Sequence, residues 1–166
     1  MATAAEYKER ILSYVQGKDP VAVQRETPEA LAQLIRDVPD KTLRTRPAAD
    51  KWSVSELLAH FAEAEIGATW RYRQMIEHNG GPLSAFDQEL WYRLGDYANR
   101  DPQKSLQLFT LLREENLTMF DRLSDEEWKR HGVHAERGEM SVRDLAQQIA
   151  GHDVNHVMQI KAILGK

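Results

Sequence analysis

Residues 140–164 read MSVRDLAQQIAGHDVNHVMQIKAIL, and this stretch decides the fold class. Ser141 is a candidate N-cap with Asp144 three positions later. Met140 and Leu145 are spaced to pack across the cap as a hydrophobic staple. Val142, Leu145, Ile149, His152, His156, Ile160 and Ile163 then follow in steps of three and four, so all seven lie on one helix face. The pattern predicts a helix from Ser141 to about Leu164, buried along one side.

The same start signal recurs upstream. In Trp52-Ser-Val-Ser-Glu56-Leu57, Ser53 is the N-cap, Glu56 completes a capping box, and Trp52 and Leu57 supply the staple. This helix is expected to run to about His78, where Asn79-Gly80-Gly81-Pro82 stops it. Glu6 to Gln16 reads as a short N-terminal helix ended by Gly17-Lys18-Asp19-Pro20. Thr27-Pro28 predicts the next start, with Leu31, Leu34, Ile35 and Val38 as the apolar face. Asp101-Pro102 opens another helix that buries Leu106, Phe109, Leu112, Leu117, Phe120 and Leu123. Ser124 to Glu127 caps a further short turn, and Gly132 to Gly138 reads as a polar loop. No alternating β-branched run predicts a sheet. Four substantial helices and a short N-terminal one predict an all-α four-helix bundle, one domain over residues 1–166. The segment from 79 to 101, aromatic-rich from Phe86 to Tyr97, is long for a link between antiparallel neighbours. It predicts a crossover, or a loop covering one end of the bundle.

Composition excludes whole classes of chemistry. The 166 residues include six histidines and no cysteine. Disulfide frameworks, cysteine nucleophiles and thiolate metal sites are therefore absent. A metal must be held by His, Asp or Glu, and a thiol must arrive with a substrate or cosubstrate. The formal net charge is −4, with 22 basic residues interspersed among 26 acidic ones, so no nucleic-acid partner is expected. The first residues lack a signal-peptide core, and no apolar run approaches the ~20 residues of a membrane span. The expected location is the cytoplasm, with no membrane partner. Walker, dinucleotide-binding and G-x-S-x-G motifs do not occur.

The histidines carry the functional signal. His152 and His156 occupy core positions of the last helix, where a buried ring left unpaired costs about 1–3 kcal/mol. Two rings one turn apart can share a metal ion, the i, i+4 spacing of helical zinc sites. A Tyr, an Asp or a backbone carbonyl can also satisfy such rings. His60 stands on the helix that starts at Ser53, among Val54, Leu57, Phe61 and Ala64. If the two helices are antiparallel neighbours in suitable register, the three rings meet. Three His ligands with an open fourth position form a catalytic arrangement for zinc.

Helical spacing names the neighbours. Glu63, three residues after His60, reads as the catalytic candidate: a further ligand, a general base, or a group that fixes an imidazole. A solvated glutamate is the alternative. Gly67 leaves room for a substrate or a close helix. Arg71 suits a substrate carboxylate or phosphate, or a surface salt bridge. Gln148 and Gln159 are spaced to hydrogen-bond the site, and Trp91 is a candidate lid in the long connection. His131 and His134 fall in the polar loop, where an exposed role is expected, with His134 the better substrate-binding candidate. His78 reads as a histidine at a helix C-terminus.

Trp52-Ser-Val-Ser-Glu56-Leu-Leu-Ala-His60-Phe-Ala-Glu63-Ala-Glu65, together with Gly151-His152-Asp-Val-Asn155-His156-Val-Met-Gln159-Ile160, resembles the DinB-like superfamily. Phe86-Asp87, Arg113-Glu-Glu-Asn116-Leu and Gly132-Val-His134-Ala-Glu136-Arg-Gly138 are similar to it as well, so the resemblance spans nearly the whole chain. It implies an up-down-down-up four-helix bundle, often a homodimer, with zinc or nickel held by three histidines. Here those would be His60, His152 and His156. Members include thiol transferases that use low-molecular-weight thiols, a thiol-dependent maleylpyruvate isomerase, and many proteins grouped as metal-dependent hydrolases. The expectation is a divalent-metal-dependent enzyme acting on a small molecule, a hydrolase or thiol S-transferase that activates water or a thiol cosubstrate. The alternatives are a metal-containing binding or stress-related protein without turnover, and a purely structural bundle.

Overall fold

The computed structural model describes residues 3–85, 87–135 and 138–166. Phe86, Glu136 and Arg137, which belong to segments quoted above, lie outside the described residues. Along the chain come helices α1 (Ala4–Ser13), α2 (Pro20–Ile35), α3 (Asp40–Arg44) and α4 (Val54–Glu77), then strand β1 (Gly81–Leu83). Helices α5 (Gln88–Leu94), α6 (Pro102–Phe120) and α7 (Asp125–Lys129), strands β2 (His131–His134) and β3 (Gly138–Ser141), and helix α8 (Val142–Leu164) complete it. None of these helices is long and apolar enough to cross a membrane.

The starts of α4 and α8 follow their capping boxes: Ser53 with Glu56 and Ser141 with Asp144 each make both reciprocal bonds. Asp101 caps α6 by accepting from the Gln103 and Lys104 amides. Helix α2 departs from the sequence reading. It starts at Asp19, whose carboxylate accepts from the Val21 amide at 2.9 Å, with Pro20 in the first turn. Pro28 therefore lies inside the helix, where it has no N–H for the Gln24 carbonyl. The Arg113 Nη1 donates to that carbonyl instead, at 2.9 Å. A residue from another helix thus satisfies the acceptor that the proline leaves open.

Two core clusters fix the direction of the four long helices. One gathers Leu31, Leu34 and Ile35 from the end of α2, Leu57, Leu58 and Phe61 from the start of α4, Leu106 and Phe109 from the start of α6, and Ile160 from the end of α8. The other joins Tyr72 and Met75 from the end of α4 to Leu117 and Phe120 of α6, and to Val142, Leu145 and Ala146 at the start of α8. Helices α4 and α6 thus run one way, α2 and α8 the other, giving the expected up-down-down-up bundle. Because α4 and α6 are parallel neighbours, the chain between them must travel back along the bundle. This is the crossover read from residues 79–101, and α5 lies on it with two helical turns.

Between the two clusters sits a buried charge network. Arg113, fully buried, donates from Nε and Nη2 to Glu65 at 2.9 and 2.8 Å and from Nη1 to Asp153 at 2.7 Å. Asn116 adds a bond to Glu65 at 2.7 Å. A guanidinium with two carboxylates links α4, α6 and α8 in one fixed register.

The expected absence of a sheet is overturned by a small one. Strand β1 pairs parallel with β2, and β2 pairs antiparallel with β3. The segment read as a polar loop is largely this hairpin, and strands of three or four residues are too short to show readable alternation. Its burial pattern makes Gly132 and His134 inward residues, with Val133 exposed.

Candidate metal centre

His60 reaches the site from the well-capped first half of α4, and α8 presents His152 and His156 one turn apart against it. The ring centroids of His60 lie 5.0 Å from both partners, and those of His152 and His156 are 4.4 Å apart. The Nε2 atoms of His60 and His152 are 2.9 Å apart. One ring nitrogen from each residue falls within 4.8 Å of the others. Among the described residues no other group of three His, Asp or Glu side chains is placed this way.

The protonation states suit a metal. Burial, reinforced by His152 and His156, pushes His60 well below the ordinary histidine range. Burial, with His152 beside it, pushes His156 down to about 3. Both are therefore neutral at pH 7, the form in which imidazole ligates. The Gln159 amide oxygen lies 3.0 Å from His156 Nδ1, so it accepts the proton there and leaves the Nε2 lone pair directed at the cluster. Asp153 Oδ1 stands 3.6 Å from His152 Nδ1, an electrostatic contact longer than a hydrogen bond. Three converging imidazoles with no carboxylate among them fit a divalent metal ion.

The walls are aromatic. The ring centroid of Trp52 is 5.0 Å from that of His60, and Tyr92 of α5 stacks on Trp52 at 5.9 Å with 7° between planes. The Tyr92 hydroxyl donates to Glu56 at 2.8 Å, and Arg46 pairs with the same carboxylate. Burial alone would push the Glu56 carboxyl up. The Arg46 guanidinium, the Ser53 cap and Tyr92 outweigh it and hold the group at about 2. The capping glutamate of α4 therefore also docks the crossover helix beside the histidines.

A cavity of about 450 Å³ opens from the three histidines along the groove between α4 and α8. Of the residues singled out by sequence, Arg71, Gln148 and His134 line it. His134 is buried rather than exposed, in a strand rather than a loop. Gln159 touches the site through His156. Glu63 is placed elsewhere: its carboxylate pairs with Arg100, and it does not line the cavity. Trp91 does not line it either, and α5 contributes Gln88 instead. Ala64 and Ala68 of α4 line it as well. Sequence reasoning missed Tyr7 and Ile11 of α1, which cover the cavity. The available signal was Gly151 beside His152. A Cβ there would fall 2.2 Å from the Ile11 carbonyl oxygen, so only glycine lets α1 lie this close.

The DinB superfamily sequence model matches residues 25–160, a span that holds all three histidines. The chain belongs to the DinB superfamily. A Bacillus subtilis relative, "Putative metal-dependent hydrolase YfiT", is 24% identical over 165 residues, spanning 96% of this chain and 93% of its own. An Oceanobacillus iheyensis protein, also named "Putative metal-dependent hydrolase", is 25% identical over 134 residues, spanning 81% of this chain and 77% of its own. The solved structure of YfiT, described as having an unusual four-helix bundle topology, matches with a TM-score of 0.81 at 19% identity, over 98% of this chain and 88% of YfiT. A mycothiol-dependent maleylpyruvate isomerase matches with a TM-score of 0.69 at 12% identity, over 96% of this chain and 63% of its own. At these identities the structural likeness is one of fold, and it places this DinB chain in the same four-helix bundle.

Proposed function

We propose that this chain is a metal-dependent enzyme in which His60, His152 and His156 hold zinc or nickel in a substrate cavity. The observation that carries this reading is the convergence of three imidazoles, buried and neutral in the case of His60 and His156 and half-buried in that of His152, in a cavity open to a small molecule. When bound, the ion would supply Lewis acidity and lower the pKa of a water or thiol brought to it.

The chain's own residues do the rest. Gln159 holds the His156 tautomer. Trp52 and Phe61 wall the histidines, so they exclude bulk water and strengthen the local electrostatics. The Arg113–Asp153 pair fixes the turn of α8 next to His152. Glu63 is committed to Arg100, so the reading gives it no role in proton transfer. With no cysteine in the chain, thiol transfer would use a thiol delivered by a cosubstrate. The names of the relatives support hydrolysis, and that of the isomerase supports a thiol cosubstrate.

The test is turnover by metal-loaded and metal-free protein on ester, amide and lactone panels and on thiol-plus-electrophile mixtures. The reading expects turnover in one class that needs added metal and is lost in His60→Ala. Metal-loaded protein inactive on every panel would favour a binding role.

A further inference from the structure

We propose that Gln148 is the specificity residue of the cavity, and that its carboxamide receives a substrate carrying an amide group about 6 Å from the atom held at the three histidines. This rests on the metal-site reading above and adds the class of substrate.

Gln148 lines the cavity and is buried, with 5% of its surface exposed. Among the described residues its side chain makes no hydrogen bond. Other polar residues of the site differ in this respect. Arg71 donates to the Ser84 carbonyl and has a further partner, His134 has a partner of its own, and Gln159 is bonded to His156. A primary carboxamide has two N–H donors and a carbonyl acceptor. Burying such a group without partners is costly, and native proteins seldom do so. Gln148 therefore carries an unmet demand for both an acceptor and a donor, at the wall of a cavity that a guest molecule enters. Water meets such a demand until a substrate displaces it, and a substrate that cannot reproduce the bonds loses affinity.

Its position links that demand to the metal centre. Gln148 precedes His152 by four residues on α8, so the two project from one helix face about 6 Å apart along the axis. Leu145 and Ile149 of α8 and Ala64 and Ala68 of α4 line the same cavity with apolar side chains. A buried polar group in such surroundings discriminates sharply, because a substrate that lacks its partner leaves it unpaired. An amide supplies an N–H and a carbonyl together. An ester, a ketone or a carboxylate supplies acceptors alone.

Titration calorimetry of zinc-loaded protein provides the test, with probes whose thiolate ligates the ion. The probes are ω-mercaptoalkanamides of increasing length, the matching methyl esters, and the matching carboxylates. At a preferred length the wild type should bind the amide about tenfold more tightly than the ester. Gln148→Met keeps the side-chain length and removes both polar ends. It should erase the preference while metal content stays unchanged. Its Tm is a second readout that needs no metal, and it should be no lower than that of the wild type, because no bond within the protein is lost. Equal binding of amide and ester by the wild type would overturn the proposal, as would tighter binding of the carboxylate than of the amide. So would an undiminished amide preference in Gln148→Met, or a Tm several degrees below the wild type's, which would assign the carboxamide to the fold. If no probe binds because no metal is retained, the metal-site reading fails, a result distinct from loss of the amide preference.

Discussion

Arg113→Met tests the buried network that sets the register of α4, α6 and α8. The substitution keeps an apolar stem of similar length and removes four donated bonds: two to Glu65, one to Asp153 and one to the Gln24 carbonyl. Two carboxylates are left in the core without a cation, and breaking a buried pair in this way costs about 3–5 kcal/mol. For a domain of this size that is a fall in Tm of about 6–20 °C. The pH dependence follows from the sign of the coupling. Burial pushes Asp153 up, but Arg113 outweighs it and holds the group below the ordinary carboxylate range. Wild-type Asp153 therefore contributes stability that is present above about pH 4 and is lost only as the pH falls further. Without Arg113, the burial that pushes Asp153 up is unopposed, so the deficit is full near pH 7.5 and shrinks towards pH 5 as that carboxyl protonates. Urea unfolding at the two pH values measures this. The triple variant Arg113→Met, Glu65→Gln, Asp153→Asn should recover much of the loss, because no charge is stranded. A single-variant cost below about 1 kcal/mol would refute the reasoning. So would a triple variant no more stable than the single one.

Three further outcomes follow from the geometry. Gly151→Ala should cost about 1–3 kcal/mol and speed amide exchange in α1. The new Cβ would sit 2.2 Å from the Ile11 carbonyl oxygen, while α8 itself gains helix propensity; unchanged exchange in α1 would contradict the close approach. Gln159→Leu should weaken metal affinity about 10- to 100-fold by releasing the His156 tautomer, measured by chelator competition. Metal-free protein should lose stability as the pH falls below about 6.5, because the unfolded chain takes up protons that folded His60 and His156 refuse. The slope for these two groups approaches about 2.7 kcal/mol per pH unit, and a flat profile from pH 6.5 to 5 would show that they are not buried neutral.

The parts legible in the sequence are those written in local spacing. Ser53, Ser141 and their partners mark helix starts because capping is a three-residue interaction. His60, His152 and His156 stand out because an apolar stripe makes a polar ring conspicuous. What escaped depends on distant residues. Thr27-Pro28 carries as good a start signal as Asp19-Pro20, and only Arg113, 89 positions from Gln24, makes Pro28 tolerable inside a helix. Glu63 and Glu65 are equivalent letters two residues apart, yet the first meets Arg100 near the surface and the second Arg113 in the core. The covering of the cavity by α1 was written in one glycine, and a mid-helix glycine does not say which segment approaches it.

The central claim is one divalent ion held by three histidines. The most direct measurement is the metal content of purified, untagged protein after incubation with zinc or nickel and removal of excess, for the wild type and for His60→Ala, His152→Ala and His156→Ala. The account expects about one ion per folded wild-type chain and loss of tight binding in each variant. A wild-type content well below one would contradict it, as would a His60→Ala variant that keeps its ion on the α8 pair alone.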